Sequence, residues 1–239
     1  MCGDNAVSKG HSMFARYAFP PNELGYCGPP GVPEAAGLVL HAREFDGAWP
    51  YLRAIAEARA TDNPLDAEVV ASYWLGGPLL DKVDPAMLLA RLRIAFTGQF
   101  TGLLDGLAAS PGVLAHHSFH VLVVYPWVRF LGHDPATPLR VLQNCRIRWG
   151  TVGSVVGEHA LITCQPLTFN AGTLALDVPV NEWVRWSKDG SSLAPAPVPG
   201  DTVSAHWNWI CGTLNRAETE ALTTATQTTL DLVNSARHR

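Results

Sequence analysis

The chain has 239 residues, of which 47% are hydrophobic and 16% are charged, and its formal net charge is −4. This is the composition of a globular protein, since disordered chains have few apolar residues and a high charge. The low density of Lys and Arg excludes an extended nucleic-acid-binding surface, which would neutralise phosphates with clustered basic side chains. The length suffices for one large domain or two small ones of roughly 100–150 residues each.

Five cysteines are scattered along the chain without a C-x-x-C pair: Cys2, Cys27, Cys145, Cys164 and Cys211. An odd number at wide spacing predicts neither a disulfide framework nor a structural zinc site. The N-terminal residues lack the apolar run of a signal peptide, and the most apolar segment, residues 119–131, is too short to cross a bilayer. We therefore expect a cytoplasmic protein with reduced thiols and no membrane span.

Apolar periodicity predicts helices before residue 140. One helix is expected over residues 33–46 and a second over residues 49–60. Asn63 and Asp84, each followed by a proline, have the pattern of an N-cap before a first-turn residue and predict two further helix starts.

The helix that begins at Asp84 is predicted to continue to about Leu107, because apolar residues recur along it at three-and-four spacing. Gly98, Gly102 and Gly106 lie beside this stripe, four residues apart. Glycines in a helix reduce its propensity but let another backbone approach closely. The first half therefore reads as a tightly packed helical bundle.

The segment HHSFHVLVVYPWVRFL is predicted to form a helix with a kink at Pro126. His116 and His120 are four residues apart, a spacing that can hold a metal ion on one helical face, and His117 lies on the adjacent apolar stripe. Cys27 lies in the rigid loop PPNELGYCGPPGVP and could join them in a second site. No H-E-x-x-H, P-loop or G-x-S-x-G motif accompanies these residues, which disfavours the common hydrolases and nucleotide-binding enzymes.

After Asn144 the apolar runs are short and bounded by Gly, Asn or Pro, which predicts strands. The clearest is residues 203–211, where strict alternation predicts a single strand with His206 on one face. Asn215 and Glu218 form a capping box that predicts a final helix.

These elements predict an α+β protein with two domains. Residues 1–140 would form an all-helical domain, and residues 141–239 a small OB-like β-barrel with a C-terminal helix.

Two motifs occur in order in the second half: CRIRWGTV, which begins at Cys145, and PGDTVSAHWNWICGTLNRAETEAL, which contains His206. Over residues 144–236 they resemble the HypC/HupF family of [NiFe]-hydrogenase maturation chaperones. In that family a cysteine is followed by a Gly-Asp-x-Val-x-x-His strand and an acidic helix. The matching residues are Cys145, Gly150, Gly200, Asp201, Val203 and His206.

The resemblance implies a HypC-like barrel that acts in hydrogenase maturation. Members of the family bind an Fe(CN)2(CO) fragment together with a HypD-type scaffold and deliver it to the hydrogenase large-subunit precursor. On this basis Cys145 and His206 are expected to bind the iron fragment transiently, with Cys145 as a metal ligand. A thiolate is a soft ligand suited to such iron, and imidazole is a suitable second group. The implied protein is a metallochaperone without catalytic residues.

Cys145 departs from the family because the family's cysteine is N-terminal, whereas Cys145 follows an entire predicted domain. Cys2 or Cys27 could therefore take the role of the family's cysteine. Trp149 also stands where the family has a proline. Under this hypothesis the helical half, residues 1–140, would bind a client protein or a partner protein.

Two other functions stay open. One is an enzyme whose site comprises Cys27, His116, His117 and His120 and which acts on a diatomic ligand of the iron. The other is a structural module that binds mature hydrogenase. The segments FARYAFPPNELGYCGPP and VVASYWLGGPLL also resemble an uncharacterised bacterial family that we expect to be encoded near hydrogenase genes.

Overall fold

The computed structural model describes the backbone of residues 2–32 and 34–237, with side chains described from Lys9 onward. Helices occupy the chain as far as Cys145, strands follow, and a long helix comes last, so the fold is α+β as predicted. The α-helices are α1 (Cys2–Glu23), α2 (Trp49–Ala58), α3 (Ala67–Leu75), α4 (Pro85–Ala95), α5 (His117–Phe119), α6 (Ala136–Cys145) and α7 (Arg216–Arg237).

Shorter helical segments connect these helices. They are 3-10 helices at Ala35–Glu44, Leu80–Lys82, Leu104–Gly106 and Pro126–Gly132, and a π-helical turn at His120–Val124. The first of them falls in the region predicted as a helix over residues 33–46, although Pro33 itself lies outside the described residues.

The capping signals at Asp84 and Asn215 are confirmed. The Asp84 carboxylate accepts a hydrogen bond from the Met87 N–H at 2.8 Å, and α4 follows. At the start of α7 the Asn215 N–H donates to the Glu218 carboxylate at 2.8 Å, and the Glu218 N–H donates to the Asn215 side chain at 2.9 Å. This reciprocal pair is a capping box.

The helix start predicted at Asn63 is wrong. The Asn63 side chain accepts a hydrogen bond from the Leu65 N–H at 3.0 Å, which closes a turn rather than a helix. The cap of α3 is Asp66, which accepts from the Glu68 N–H. Asn and Asp both form such local turns, and the sequence pattern does not distinguish between them.

The long helix predicted after Asp84 is also wrong beyond Ala95, where α4 ends. Gly98 has a φ of +77°, a left-handed conformation that glycine adopts without steric cost and that terminates a helix. A close backbone approach occurs at Gly102, where a Cβ atom would lie 2.4 Å from the carbonyl oxygen of Val123. At Gly106 a Cβ atom would meet nothing within 4 Å among the described residues.

The segment predicted as one kinked helix up to residue 131 is divided in two at Tyr125. Tyr125 is extended, with φ −63° and ψ 135°, and its N–H closes the π-helical turn on the carbonyl of His120 at 2.8 Å. Pro126 then opens a 3-10 helix. Proline disfavours a helical conformation in the residue before it, which accounts for the break.

The strand predicted over residues 203–211 is a hairpin rather than one strand. Its two arms are β8 (Thr202–His206) and β9 (Trp209–Thr213), and Trp207 has a φ of +50° in the turn between them. The first strand of the chain begins at Arg148. Cys145 precedes this strand as the last residue of α6.

Five strands hydrogen-bond around a closed barrel in the order β1-β2-β5-β9-β8. All neighbours are antiparallel except β5 and β9. Two hairpins, β3-β4 and β6-β7, lie outside this circuit. The remaining strands are β1 (Arg148–Val156), β2 (His159–Cys164), β3 (Leu167–Asn170), β4 (Thr173–Leu176), β5 (Val180–Arg185), β6 (Ser187–Lys188) and β7 (Ser191–Ser192).

A continuous apolar core includes residues from both sides of the boundary predicted near residue 140. Helix α7 contacts α3 and α5, and α1 contacts both arms of the β8-β9 hairpin. The Tyr17 hydroxyl of α1 lies 2.7 Å from the Ser204 hydroxyl of β8. These contacts join the two parts of the chain. The division into two domains at residue 140 stays a prediction. Within the described residues, no helix combines the length and apolar character needed to cross a membrane.

We predict that Gly102→Ala destabilises the protein by about 1–3 kcal/mol, because the new methyl group would collide with the backbone of residue 123. Urea unfolding would measure this loss. The matched control is Gly106→Ala, which meets open space and should change the free energy of unfolding by less than about 0.5 kcal/mol. Equal effects of the two substitutions would contradict the assigned close approach.

Candidate metal centre

A cavity of about 50 Å³ lies where the helices meet the barrel. This inner cavity is lined mainly by apolar and aromatic groups, and its titratable lining comprises Tyr26, Cys27, Tyr73, His117, His120, Tyr125, Cys145 and His206. Both predicted groups of site residues thus contribute to the same cavity: Cys145 and His206 from one, and Cys27, His117 and His120 from the other.

Three of these side chains are close enough to share a metal ion. One ligand atom each of His117, Cys145 and His206 lies within 4.8 Å of the other two. A point therefore exists within about 2.8 Å of all three, compared with metal distances of roughly 2.0–2.1 Å for imidazole nitrogen and 2.3 Å for thiolate sulfur. Small side-chain movements would bring the three groups to ligand distance.

The His206 ring is oriented as metal-binding histidines usually are. Its Nδ1 lies 2.7 Å from the carbonyl oxygen of Tyr17, which can only accept a hydrogen bond, so Nδ1 carries the proton. The neutral ring then has its lone pair on Nε2, which is buried and has no hydrogen-bond partner among the described residues. A backbone carbonyl that fixes the tautomer in this way is a common outer-shell partner of ligating histidine.

The His117 ring is held by a chain of hydrogen bonds. Its Nε2 lies 2.9 Å from the carbonyl oxygen of Cys145, which can only accept a hydrogen bond, so Nε2 donates to it. Its Nδ1 pairs with the Tyr73 hydroxyl at 2.9 Å. Both ring nitrogens of His117 are thus hydrogen-bonded, and coordination of a metal by this ring would replace one of the two bonds.

Cys145 is positioned by the buried guanidinium of Arg148. This group pairs with the Glu182 carboxylate at 2.6 Å and donates to the carbonyls of Asn144 and Trp207. The Trp207 N–H also donates to the Asn144 carbonyl at 2.8 Å. The end of α6, which carries Cys145, is thereby tied to the turn that follows His206. Carbonyls at a helix C-terminus need such donors because they lack partners within the helix.

Burial determines the protonation of these groups in the metal-free protein. It lowers the pKa of His117 to about 4 and that of His206 well below its ordinary value, to which the nearby His117 adds. It raises the pKa of Cys27 to about 11 and that of Cys145 further above the ordinary thiol value. At neutral pH the imidazoles are therefore neutral and ready to coordinate, whereas the thiols are protonated and must lose a proton to bind a metal.

A larger cavity of about 410 Å³ lies next to the inner one and includes exposed residues such as Glu44, Asp46 and Gln99. Both cavities are lined by five residues, which we call the neck: Tyr26, Cys27, Gly47, His120 and Tyr125. The neck thus lies between the inner cavity and this outer cleft.

His116 is not among the residues that line either cavity. It precedes α5 with extended backbone, and its Nδ1 accepts a hydrogen bond from the Ser118 N–H at 3.1 Å. The helical spacing predicted for His116 and His120 therefore does not apply, and His117 is the neighbour that reaches the cluster. Of the other cysteines, Cys164 and Cys211 are buried outside these cavities, and the Cys2 side chain lies outside the described residues.

No local pattern in the sequence indicates the supporting residues Tyr73 and Arg148. Their roles depend on contacts between residues 26 to 59 positions apart in the chain, which no local pattern reveals.

Residues 6–239 match the sequence family described as a family of unknown function (DUF6390), and the chain belongs to this family. No curated protein and no solved structure matches the chain. The function is therefore argued from the site.

We predict that the metal-free protein loses stability as the pH falls from 6.5 to 5. Burial holds the histidine pKa values below the ordinary 6.5, so the unfolded chain binds more protons in this window and acid favours unfolding. Each fully buried histidine contributes up to about 1.4 kcal/mol per pH unit, measured as the free energy of unfolding in urea.

His116→Gln removes one such group outside the cavities, and it should reduce the slope of stability against pH by up to the same amount, about 1.4 kcal/mol per pH unit. Stability that is independent of pH in this window would contradict the neutral assignment.

Proposed function

We propose that the protein is an accessory factor for the maturation of a [NiFe] hydrogenase, a HypC-like metallochaperone that handles an Fe(CN)2(CO) fragment as cargo. The observation that carries this proposal is the meeting of Cys145 and His206 in one buried cavity. These are the two residues on which the resemblance to the HypC/HupF family depends. They are 61 positions apart in the chain, and a chance resemblance would give no reason for them to meet.

The fold supports the same proposal. A five-stranded closed barrel of short strands, followed by a helix, is the architecture expected of an OB-like domain. The barrel has its own small apolar interior, to which Val203 and Ala205 of β8 contribute. His206 follows them at the end of that strand, where the barrel meets the helices.

The chemistry of the cavity suits a carrier. Thiolate and imidazole are soft and intermediate ligands that bind low-spin iron well. A single thiolate also allows release, whereas a closed site of four protein ligands is typical of permanent structural metals. Cys145 has no free amino group beside it, unlike the family's N-terminal cysteine, and the His117 imidazole lies near its thiol instead.

The proposed partners are the hydrogenase large-subunit precursor and a HypD-type scaffold. Cargo from the inner cavity would reach them through the neck and the outer cleft. Phe100 on the lining of this cleft is 61% exposed, which offers an apolar contact to a partner.

The test is infrared spectroscopy of protein purified without oxygen from cells that express its neighbouring hydrogenase genes. We expect cyanide and carbonyl stretching bands in the parent protein, their loss in Cys145→Ala, and loss of hydrogenase maturation. Cys211→Ala is the matched control, since it removes another buried thiol outside the two cavities and should keep the bands. Normal maturation with Cys145→Ala would refute a cargo-binding thiol.

An enzyme that acts on a diatomic ligand is the second candidate, because Cys27 and His120 lie on the neck, where a small molecule would pass. The raised pKa of Cys27 opposes a nucleophilic role, since its thiol is protonated at neutral pH.

We accordingly predict that Cys27→Ser retains at least half of the hydrogenase activity produced by the parent protein. Hydrogen uptake in extracts of the complemented cells measures this. A loss of more than about tenfold, with Cys27→Ser still folded by circular dichroism, would favour the enzyme. Tolerance of changes at every cysteine, with retained binding to mature hydrogenase, would favour a structural module.

A further inference from the structure

We propose that His117 is a third protein ligand in this cavity, so that His117, Cys145 and His206 together bind a divalent first-row transition-metal ion whose other coordination positions are open to the neck. The inference deepens the proposed function by completing the ligand set, and it rests on that function only for the identity of the natural cargo.

The three groups come from separate elements that converge at one point. His117 begins α5, Cys145 ends α6 and His206 ends β8. Two imidazoles and one thiolate form a donor set that favours zinc, cobalt, nickel or iron over magnesium or calcium, which prefer oxygen ligands. The helical half thus supplies a ligand that the barrel alone would lack.

Aromatic packing alone does not account for this arrangement. The rings of His117 and His206 lie 5.1 Å apart, and both contact the indole of Trp74, at 4.7 and 5.8 Å. Such contacts explain why the rings are adjacent but leave the Nε2 atom of His206 buried and unpartnered among the described residues. A buried polar atom without a partner destabilises the fold, and a bound metal ion would use its lone pair.

An outer-shell partner fixes the His206 ring so that Nε2 is the free atom. The carbonyl of Tyr17 accepts from His206 Nδ1, and the buried Nε2 has no partner among the described residues. Metal-binding histidines characteristically donate their second ring nitrogen in this way. The His117 ring is held by the Tyr73 hydroxyl at Nδ1 and by the Cys145 carbonyl at Nε2, and one of these bonds would give way to the ion.

The cavity leaves room beside the ion. A volume of about 50 Å³ exceeds the roughly 10–15 Å³ that a single water molecule needs, so the cavity has room for more than one small ligand. Three protein ligands and the three diatomic ligands of the proposed cargo would complete the octahedral shell of low-spin Fe(II). Two protein ligands would leave that shell incomplete.

Binding requires no change of oxidation state. The S–H bond of Cys145 breaks, a metal–sulfur bond forms, and the proton passes to the solvent buffer. Each imidazole donates one lone pair and stays neutral, with its proton on the other ring nitrogen; that of His206 keeps its hydrogen bond to the Tyr17 carbonyl. Mass and charge balance with one proton released per ion.

The test uses the full-length, metal-free protein and Co²⁺ alone as the probe. We expect one Co²⁺ per chain, with the near-ultraviolet charge-transfer absorption of a cobalt–thiolate bond. Cys145→Ala should abolish this absorption, and His117→Gln and His206→Gln should each weaken binding by at least about 100-fold. This is the upper end of the loss seen when only an outer-shell group is removed.

His116→Gln and Cys211→Ala are the matched controls, because each removes a buried histidine or cysteine outside the two cavities. Both should bind Co²⁺ as the parent does. Should a ligand variant fail to fold by circular dichroism, X-ray absorption of the Zn²⁺-loaded parent protein decides the matter, with one sulfur and at least two nitrogen ligands expected. A spectrum without sulfur, or no binding by the parent, would overturn the inference.

Different results would refute the third ligand and the chaperone function. If infrared bands of the iron fragment persist in His117→Gln but not in Cys145→Ala, the third ligand is wrong and the chaperone stands. If Co²⁺ binds through all three residues while Cys145→Ala still supports hydrogenase maturation, the metal centre stands and the chaperone function is wrong.

Discussion

The geometry of the candidate site depends on the ion pair and the hydrogen bonds of the buried Arg148 guanidinium. A fully buried cation is costly, and it is stable here because Glu182 pairs with it and backbone carbonyls from two elements accept its protons. Those carbonyls belong to the end of α6 and to the β8-β9 turn. The guanidinium thereby ties the helix that ends at Cys145 to the turn that follows His206.

The three side chains of the candidate site come from three parts of a structure with one shared apolar core. The barrel positions His206, the helix that leads into the barrel positions Cys145, and the bundle positions His117. Helix α7 returns from the barrel to pack against α3 and α5, the helices that carry Tyr73 and His117. The three side chains of the candidate site therefore come together only through contacts between distant parts of the chain.

Local signals in the sequence determined how well each part could be predicted. Caps such as Asp84 and Asn215 were found because a cap bonds its own neighbours. The breaks at Gly98 and Tyr125 were missed, since apolar periodicity continues through them while the backbone turns. Helices α1 and α6 were not predicted, and the β8-β9 hairpin was mistaken for one strand because alternation persists through the left-handed turn at Trp207. The site residues were found as two separate groups, since nothing local indicates that residues 117, 145 and 206 meet.

The burial of the thiol bears on how a carrier of this kind would release its cargo. Burial raises the pKa of Cys145, so a free thiolate left in the cavity is unfavourable. Under the proposed function, departure of the cargo must therefore be coupled to the arrival of a proton. An acceptor that binds the fragment through its own cysteine thiols releases protons as it does so, and one of them can restore the thiol of Cys145. Cargo and proton would then be exchanged in opposite directions through the neck.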